Sequence, residues 1–234
     1  MVAYCPSAYE YISSAFRNLD AMTKRFSSPD KRTSLHISGN ATYLPLTFGP
    51  WSGRVEDVKE EPKIRASLPV HEPGDHRSHV PRSVRIDGQV VNCIDLTHAD
   101  LELMPQQELI DDFRCRESWV VPDLRWRGVL LQTVLALARP NREARHVQAS
   151  AGDFSISVPL DLAARALLAI SLNGANLSVE HGAPVRLVVP GGECFTSIKW
   201  LDHLELRSEP GLNTAETIAL ARLSSAREPG RSGS

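Results

Sequence analysis

Three stretches of this chain collect residue types that can do chemistry. The first is Cys115-Arg-Glu-Ser-Trp119-Val-Val-Pro122-Asp-Leu-Arg125-Trp126-Arg-Gly128. It sets a thiol between Arg114 and Arg116, with Arg125 and Arg127 following and two tryptophans close by. Cationic neighbours lower a thiol's pKa, and the thiolate is the form that attacks electrophiles and binds metals. The second stretch is Glu180-His181-Gly182-Ala183-Pro184-Val185-Arg186, and the third is Ser197-Ile198-Lys199-Trp200-Leu201. Taken singly, each of these residues has a plain alternative. A lone cysteine is usually a small buried hydrophobe. Arg186 reads as one half of a surface ion pair, Lys199 as a stem laid along a strand with its head in water, and His181 as a turn cap. The order and spacing of the three stretches make them more specific together than apart.

That ordered set resembles the metal-binding and pterin-binding segments of the sulfite oxidase family of molybdopterin enzymes. The resemblance runs from about Arg82 to Leu206. It implies an α+β fold, mixed and mainly β with short helices, and Mo-molybdopterin as cofactor. It implies that Cys115 is the protein's metal ligand, since a soft sulfur suits a metal that cycles between oxidation states. His181, Arg186, Ser197, Ile198 and Lys199 fall on the pterin-binding half, where Arg186 and Lys199 bring charge to the cofactor's phosphate and Ser197 and the Gly191–Gly192 backbone bring short hydrogen bonds. Arg114, Arg116 and Arg125 become the groups that face a small, anionic, sulfite-like substrate. The implied activity is two-electron oxo transfer. The alternatives are an S-oxide or N-oxide reductase of the same fold and a non-catalytic cofactor-binding or interaction module. No haem-binding segment is recognisable, so electrons pass to or from a separate acceptor or donor protein.

Several positions depart from the family pattern. Glu193-Cys194-Phe195-Thr196-Ser197 stands where the family often has Tyr-Gly-x-Lys-Ser, so a lysine becomes Thr196 and a glycine becomes Cys194. Gly152-Asp153-Phe154 stands where a Gly-Tyr is common, which removes a phenolic hydroxyl. Glu117-Ser118-Trp119-Val120 replaces Glu-Gly-Trp-Ser. The stretch Tyr43–Trp51 is faintly similar to a Pro-x-Leu-Thr-x-Gly-Pro loop of the family.

The bulk properties narrow the field. With 234 residues, the chain is long enough for one large domain or a domain with an appendage. A formal charge of −2 excludes a general nucleic-acid binder, which needs a basic face. No apolar run approaches the ~20 residues of a membrane span. The start, Met-Val-Ala-Tyr-Cys-Pro, has neither a basic segment ahead of an apolar core nor a twin arginine. The expectation is therefore a cytoplasmic protein with four free thiols at Cys5, Cys93, Cys115 and Cys194. Absence of CxxC spacing argues against a zinc knuckle or iron–sulfur site. His71, His76 and His79 sit in a polar Pro/Gly stretch that no cysteine or carboxylate frame closes into a metal site.

The elements that must position these residues divide the chain into a poorly matched extension over 1–80, a cofactor-binding domain over 81–208, and a C-terminal helix and tail over 209–234. Capping-box spacing and apolar periodicity predict a helix over 7–26. Ser83 to Cys93 reads as strand, Asp87-Gly88 turn, strand. Further helices are expected over 98–105, 129–139 and 213–227, with a helical turn over 159–166. Strands are expected at 154–158, 185–189 and 198–206, and a hairpin about Asn173-Gly174 at 167–179. Trp126-Arg-Gly128 reads as a turn.

Overall fold

The computed structural model describes residues 62–70 and 80–226. The expected helix over 7–26, the Tyr43–Trp51 stretch, the histidines at 71, 76 and 79, and the C-terminal tail lie outside the described residues. In chain order the elements are β1 (Lys63–Ile64), β2 (Ser83–Gly88), β3 (Ile94–Thr97), α1 (His98–Leu103), β4 (Gln107–Cys115), β5 (Trp119–Leu130), α2 (Leu131–Ala138), β6 (His146–Ala151), β7 (Phe154–Pro159), α3 (Leu160–Ala163), β8 (Leu167–Leu172), β9 (Ala175–Asn176), β10 (Arg186–Val188), β11 (His203–Arg207) and α4 (Thr214–Ala226). The mixed, mainly β architecture with short helices is the one expected.

Strand alternation builds the first sheet, ordered β3-β2-β11-β6-β7. Val84 and Ile86 of β2, Leu204 and Leu206 of β11, and Val147 and Ala149 of β6 all point into one core. Their neighbours face outward, where Arg85 Nε donates to Asp87 Oδ2 at 2.7 Å and His203 Nε2 meets Asp87 Oδ1 at 2.7 Å. Burial alone raises the Asp87 pKa, but the bonds to Arg85 and His203 outweigh it and hold the carboxyl below its usual range. A depressed carboxylate pKa contributes stability above the unfolded value and loses it as pH falls through the folded one. Asp87→Asn is therefore expected to lose about 1 kcal/mol at neutral pH. In urea titrations the gap to the parent closes as the pH drops below the ordinary carboxylate range; a gap that persists there refutes the ionic origin.

The second sheet runs β1-β5-β8-β10, with β4 added to β5 and β9 to β8. β8 is buried on both faces: Leu168 and Ile170 join the main core, while Leu167 and Ala169 join a second cluster with Phe113, Trp119, Leu124, Trp126 and Val188. A strand buried on both sides loses its polar alternation. This second cluster carries the chemistry-bearing residues.

Three local expectations are corrected. The Trp126-Arg-Gly128 segment is not a turn but the middle of β5, with a register shift against β8 between Arg127 and Gly128. A Cβ at Gly128 would meet the Leu168 carbonyl oxygen at 2.0 Å, so glycine is there for close backbone approach. Gly128→Ala is expected to cost about 2–3 kcal/mol through overpacking, read as a fall in the unfolding midpoint. Asp87-Gly88 is not a hairpin turn either. β2 runs through it and pairs with β3, Val84 facing Leu96. Lastly, Ile198–Trp200 is not strand; β11 begins only at His203. The helix expected from residue 129 starts at Leu131, because Val129 and Leu130 finish β5, and it stops where Arg139 turns left-handed (φ 55°) before Pro140. The remaining expected helices and strands are present within a few residues; the second arm of the 167–179 hairpin is reduced to Ala175–Asn176.

Candidate functional site

Cys115 ends β4, directly opposite Trp119 at the start of β5. Between them Ser118 sits at φ 59° and its N–H donates to the Cys115 carbonyl at 3.1 Å. The left-handed conformation explains why a glycine suits that position, and Ser118 holds it at some steric cost. The turn leaves the Cys115 sulfur half-buried against the aromatic cluster.

A second thiol meets it there. The sulfur of Cys194 lies 3.0 Å from that of Cys115, from 79 residues along the chain. The hydrogen bond between them, with burial, pushes the Cys115 thiol well up, and the same bond holds Cys194 down. Two sulfurs this close titrate as a pair, giving up one proton easily and the second with difficulty. The expectation that Arg114 and Arg116 lower the Cys115 pKa is not met. Arg114 Nη2 donates to Asp112 at 2.8 Å, and Arg116 pairs with Glu193 and lies 3.7 Å from Glu216. Arg125 is further out, exposed and bonded to Glu108 at 3.2 Å. All three rim cations are thus matched by carboxylates. Of the four thiols expected to be free, Cys115 and Cys194 are, whereas Cys93 is disulfide-bonded.

The cation that does belong to the pocket is Arg186. Its place on β10 puts it on the same face as Val188, towards the aromatic cluster, and it is 3% exposed. The guanidinium lies 4.9 Å from the Phe113 ring centre and 5.1 Å from that of Trp126. One nitrogen donates to the His181 carbonyl at 3.2 Å, but buried Nε finds no partner among the described residues. Complete burial drops its pKa to about 10, a shift the Cys194 sulfur partly opposes. A buried guanidinium with a spare donor and no carboxylate among the described residues can hold an anion.

His181 stands beside it. Its Nδ1 bonds Ser178 Oγ at 2.9 Å, and its Nε2 is buried without a partner among the described residues. Gly182 continues the backbone at φ 112°, where a Cβ would strike the Lys199 Cβ at 2.9 Å, so the His-Gly and Lys-Trp motifs are packed against each other. Lys199 spends a donor on the Glu180 carbonyl at 2.6 Å and Trp200 Nε1 donates to the Val179 carbonyl at 2.8 Å. Ser197 is buried close by and lines a small cleft with Phe113, Trp126 and Gly192. Ile198 is wholly buried in the main core, and its carbonyl accepts from Leu187 N at 2.8 Å. Thr196 turns its hydroxyl onto the Glu193 carbonyl at 2.8 Å, and Phe154 packs against the main core.

The fold therefore brings Cys115, His181, Arg186 and Ser197 to one cluster and leaves Arg114 and Arg125 outside it. Sequence reasoning missed Cys194 as the partner of Cys115, and Phe113 and Trp126 as the bed of Arg186. The only linear signal was a cysteine in a usual glycine position. Among the described residues no three His, Cys, Asp or Glu side chains group as a metal site.

The chain matches the family described as oxidoreductase molybdopterin binding domain over residues 71–215. It is 30% identical over 164 residues to the uncharacterized oxidoreductase YuiH of Bacillus subtilis, covering 68% of this chain and 81% of that protein. It is 31% identical over 158 residues to the protein-methionine-sulfoxide reductase catalytic subunit MsrP of Campylobacter jejuni, covering 58% of this chain and 52% of that one. Among solved structures it is similar to the sulfane dehydrogenase SoxCD from Paracoccus pantotrophus, with a TM-score of 0.53 and 20% identity over 78% of this chain and 60% of that one. That last likeness bears on the fold.

Proposed function

The chain belongs to the oxidoreductase molybdopterin-binding family, a molybdenum-dependent oxidoreductase with Mo-molybdopterin as cofactor, and from that premise we propose that it moves an oxygen atom to or from the sulfur of a small substrate. The observation that carries this reading is Arg186: a wholly buried guanidinium seated beside a thiol, its Nε without a partner among the described residues. Such a group fits the anionic part of the cofactor, and His181 Nε2, buried without a partner among the described residues, fits a polar edge of the pterin. Cys115 is the protein ligand to the metal. Ser197, the backbone about Gly191 and Gly192, Ile198 and Lys199 hold the pterin side, with Lys199 also fixing the turn at Glu180. When bound, the cofactor supplies a metal that changes oxidation state by two as oxygen is exchanged.

The protein's own residues hold and orient. β4 and β5 fix the Cys115 sulfur at the mouth of an aromatic pocket, and the Phe113, Trp119 and Trp126 rings exclude water from it. Exclusion of water strengthens the field of Arg186, whose charge holds the anion without reorganising.

The paired charges around the site bear on the charge of the substrate. Arg114, Arg116 and Arg125 are neutralised by Asp112, Glu193 and Glu108, which leaves little free positive charge for sulfite. A neutral S-oxide needs none. Reduction of an S-oxide is accordingly the favoured reading, supported by the similarity to a methionine-sulfoxide reductase subunit; sulfite oxidation is the second. Electrons come from a separate donor protein. Elemental analysis of protein made in a host that synthesises molybdopterin is the first test. Near-stoichiometric molybdenum, followed by turnover of methionine sulfoxide with a dye donor, supports the reading. Folded protein without molybdenum sinks it and leaves the binding-module alternative.

A further inference from the structure

We propose that Cys115 and Cys194 form a reversible disulfide in the cofactor-free protein, and that this bond withholds the sulfur on which metal loading depends. The second half rests on the assignment of Cys115 as metal ligand made above; the disulfide itself does not. The sulfurs stand 3.0 Å apart, so closure needs only about 1 Å of approach to reach a disulfide length of ~2.05 Å. Both residues are free thiols with partial solvent exposure.

The fold holds this juxtaposition by contacts that do not involve sulfur. Arg114 of β4 and Glu193 form a parallel backbone bridge. Arg116 clamps the same Glu193 through its side chain and lies 5.1 Å over the Phe195 ring. The turn carrying Cys194 is itself closed by Thr196 N–H on the Glu193 carbonyl at 2.9 Å. Cys194 is thus pinned over the end of β4 from both sides.

The oxidant is a hydroperoxide. One thiolate attacks the peroxide oxygen, breaking the O–O bond to give a sulfenic acid and, from hydrogen peroxide, water. The other thiol then attacks that sulfur and a second water leaves. Two thiols lose two electrons and two protons, and the peroxide takes them up. A thiol reductant reverses the bond by exchange.

The test uses the full-length chain, prepared once from a host unable to make molybdopterin and once from a competent host. Each is treated with equimolar hydrogen peroxide, alkylated, and digested without reduction. The expected result is a cross-linked Cys115–Cys194 peptide from the cofactor-free protein, lost on adding dithiothreitol, together with loss of cofactor uptake until reduction. The loaded protein gives no such peptide. Cys194→Ser and Cys194→Ala, checked for fold by circular dichroism, take up cofactor whether oxidised or not. Recovery of both cysteines uncrosslinked from the cofactor-free wild type overturns the disulfide and leaves the ligand assignment standing. Equal cross-linking of loaded and cofactor-free protein removes the ligand assignment and leaves the disulfide.

Discussion

Replacing Cys115 and its neighbour Cys194 together by serine is expected to leave a folded protein that retains no molybdenum. A hydroxyl is a harder, far less acidic ligand than a thiol, and exchanging the sulfur proposed as ligand removes the bond that would tie the metal to the chain. Loss of a supporting residue near a metal already costs about 10–100-fold in affinity, so loss of the ligand itself is expected to exceed 100-fold. Stability is expected to change by less than about 1 kcal/mol, because the site is half-buried and the swap is nearly isosteric. The readouts are metal content and the visible thiolate charge-transfer band. Cys194 complicates the single variant, since its sulfur is 3.0 Å away and is available to replace the missing one. The double variant Cys115→Ser/Cys194→Ser removes that route. Retention of full molybdenum by the double variant would end the assignment of Cys115 as ligand.

The second large effect falls on Arg186, and its two arms point in opposite directions. Its pKa of about 10 records how poorly the interior solvates the charge. A cation whose folded pKa lies below its unfolded value weakens the fold at neutral pH, and the penalty fades as pH rises past the folded value. Arg186→Met keeps the long apolar stem against Phe113 and Trp126 and deletes the charge. Without cofactor the variant is expected to be at least as stable as the parent, by up to about 3 kcal/mol, because well-packed apolar groups often replace buried charges at a gain. The stability advantage should shrink as the pH approaches 10 and above. With cofactor the order reverses: uptake is expected to fall about 100-fold, since an anion then faces an apolar wall. Thermal unfolding of both forms reads the two arms together. A variant that is less stable without cofactor and binds it normally would make Arg186 a packing residue.

How much of this was legible beforehand depends on whether the information is local. The alternation in Ser83–Ile86 and Phe154–Val158 is a two-residue rhythm, so those strands could be placed from the text. Thr97 and Asp100 form a reciprocal capping box at the start of α1, again within four residues. β4 was not anticipated: Gln107–Cys115 is polar along most of its length because it lies at a sheet edge, covered by β5 on one side only. The Asp87-Gly88 pair carries a hairpin signature, yet β11 docks so close to Gly88, with the Leu206 carbonyl 2.2 Å from where a Cβ would be, that the glycine serves that approach instead.

The sequence by itself determined the family, the cofactor class and the short list from which a site is built, because His-Gly-x-Pro-x-Arg and Ser-x-Lys-Trp are compact patterns whose meaning survives without coordinates. Only the tertiary structure decided which members of that list matter to one another. Arg114 and Arg116 adjoin Cys115 in sequence, but alternation along β4 sends Arg114 to the opposite face from Cys115, and Arg116, in the turn after the strand, spends its charge on Glu193. Arg186 and Cys194 are remote in sequence and reach the pocket through pairing of β10 with β8 and docking of the 193–197 turn on β4. Long-range register sets those distances. Nothing within a single segment specifies it.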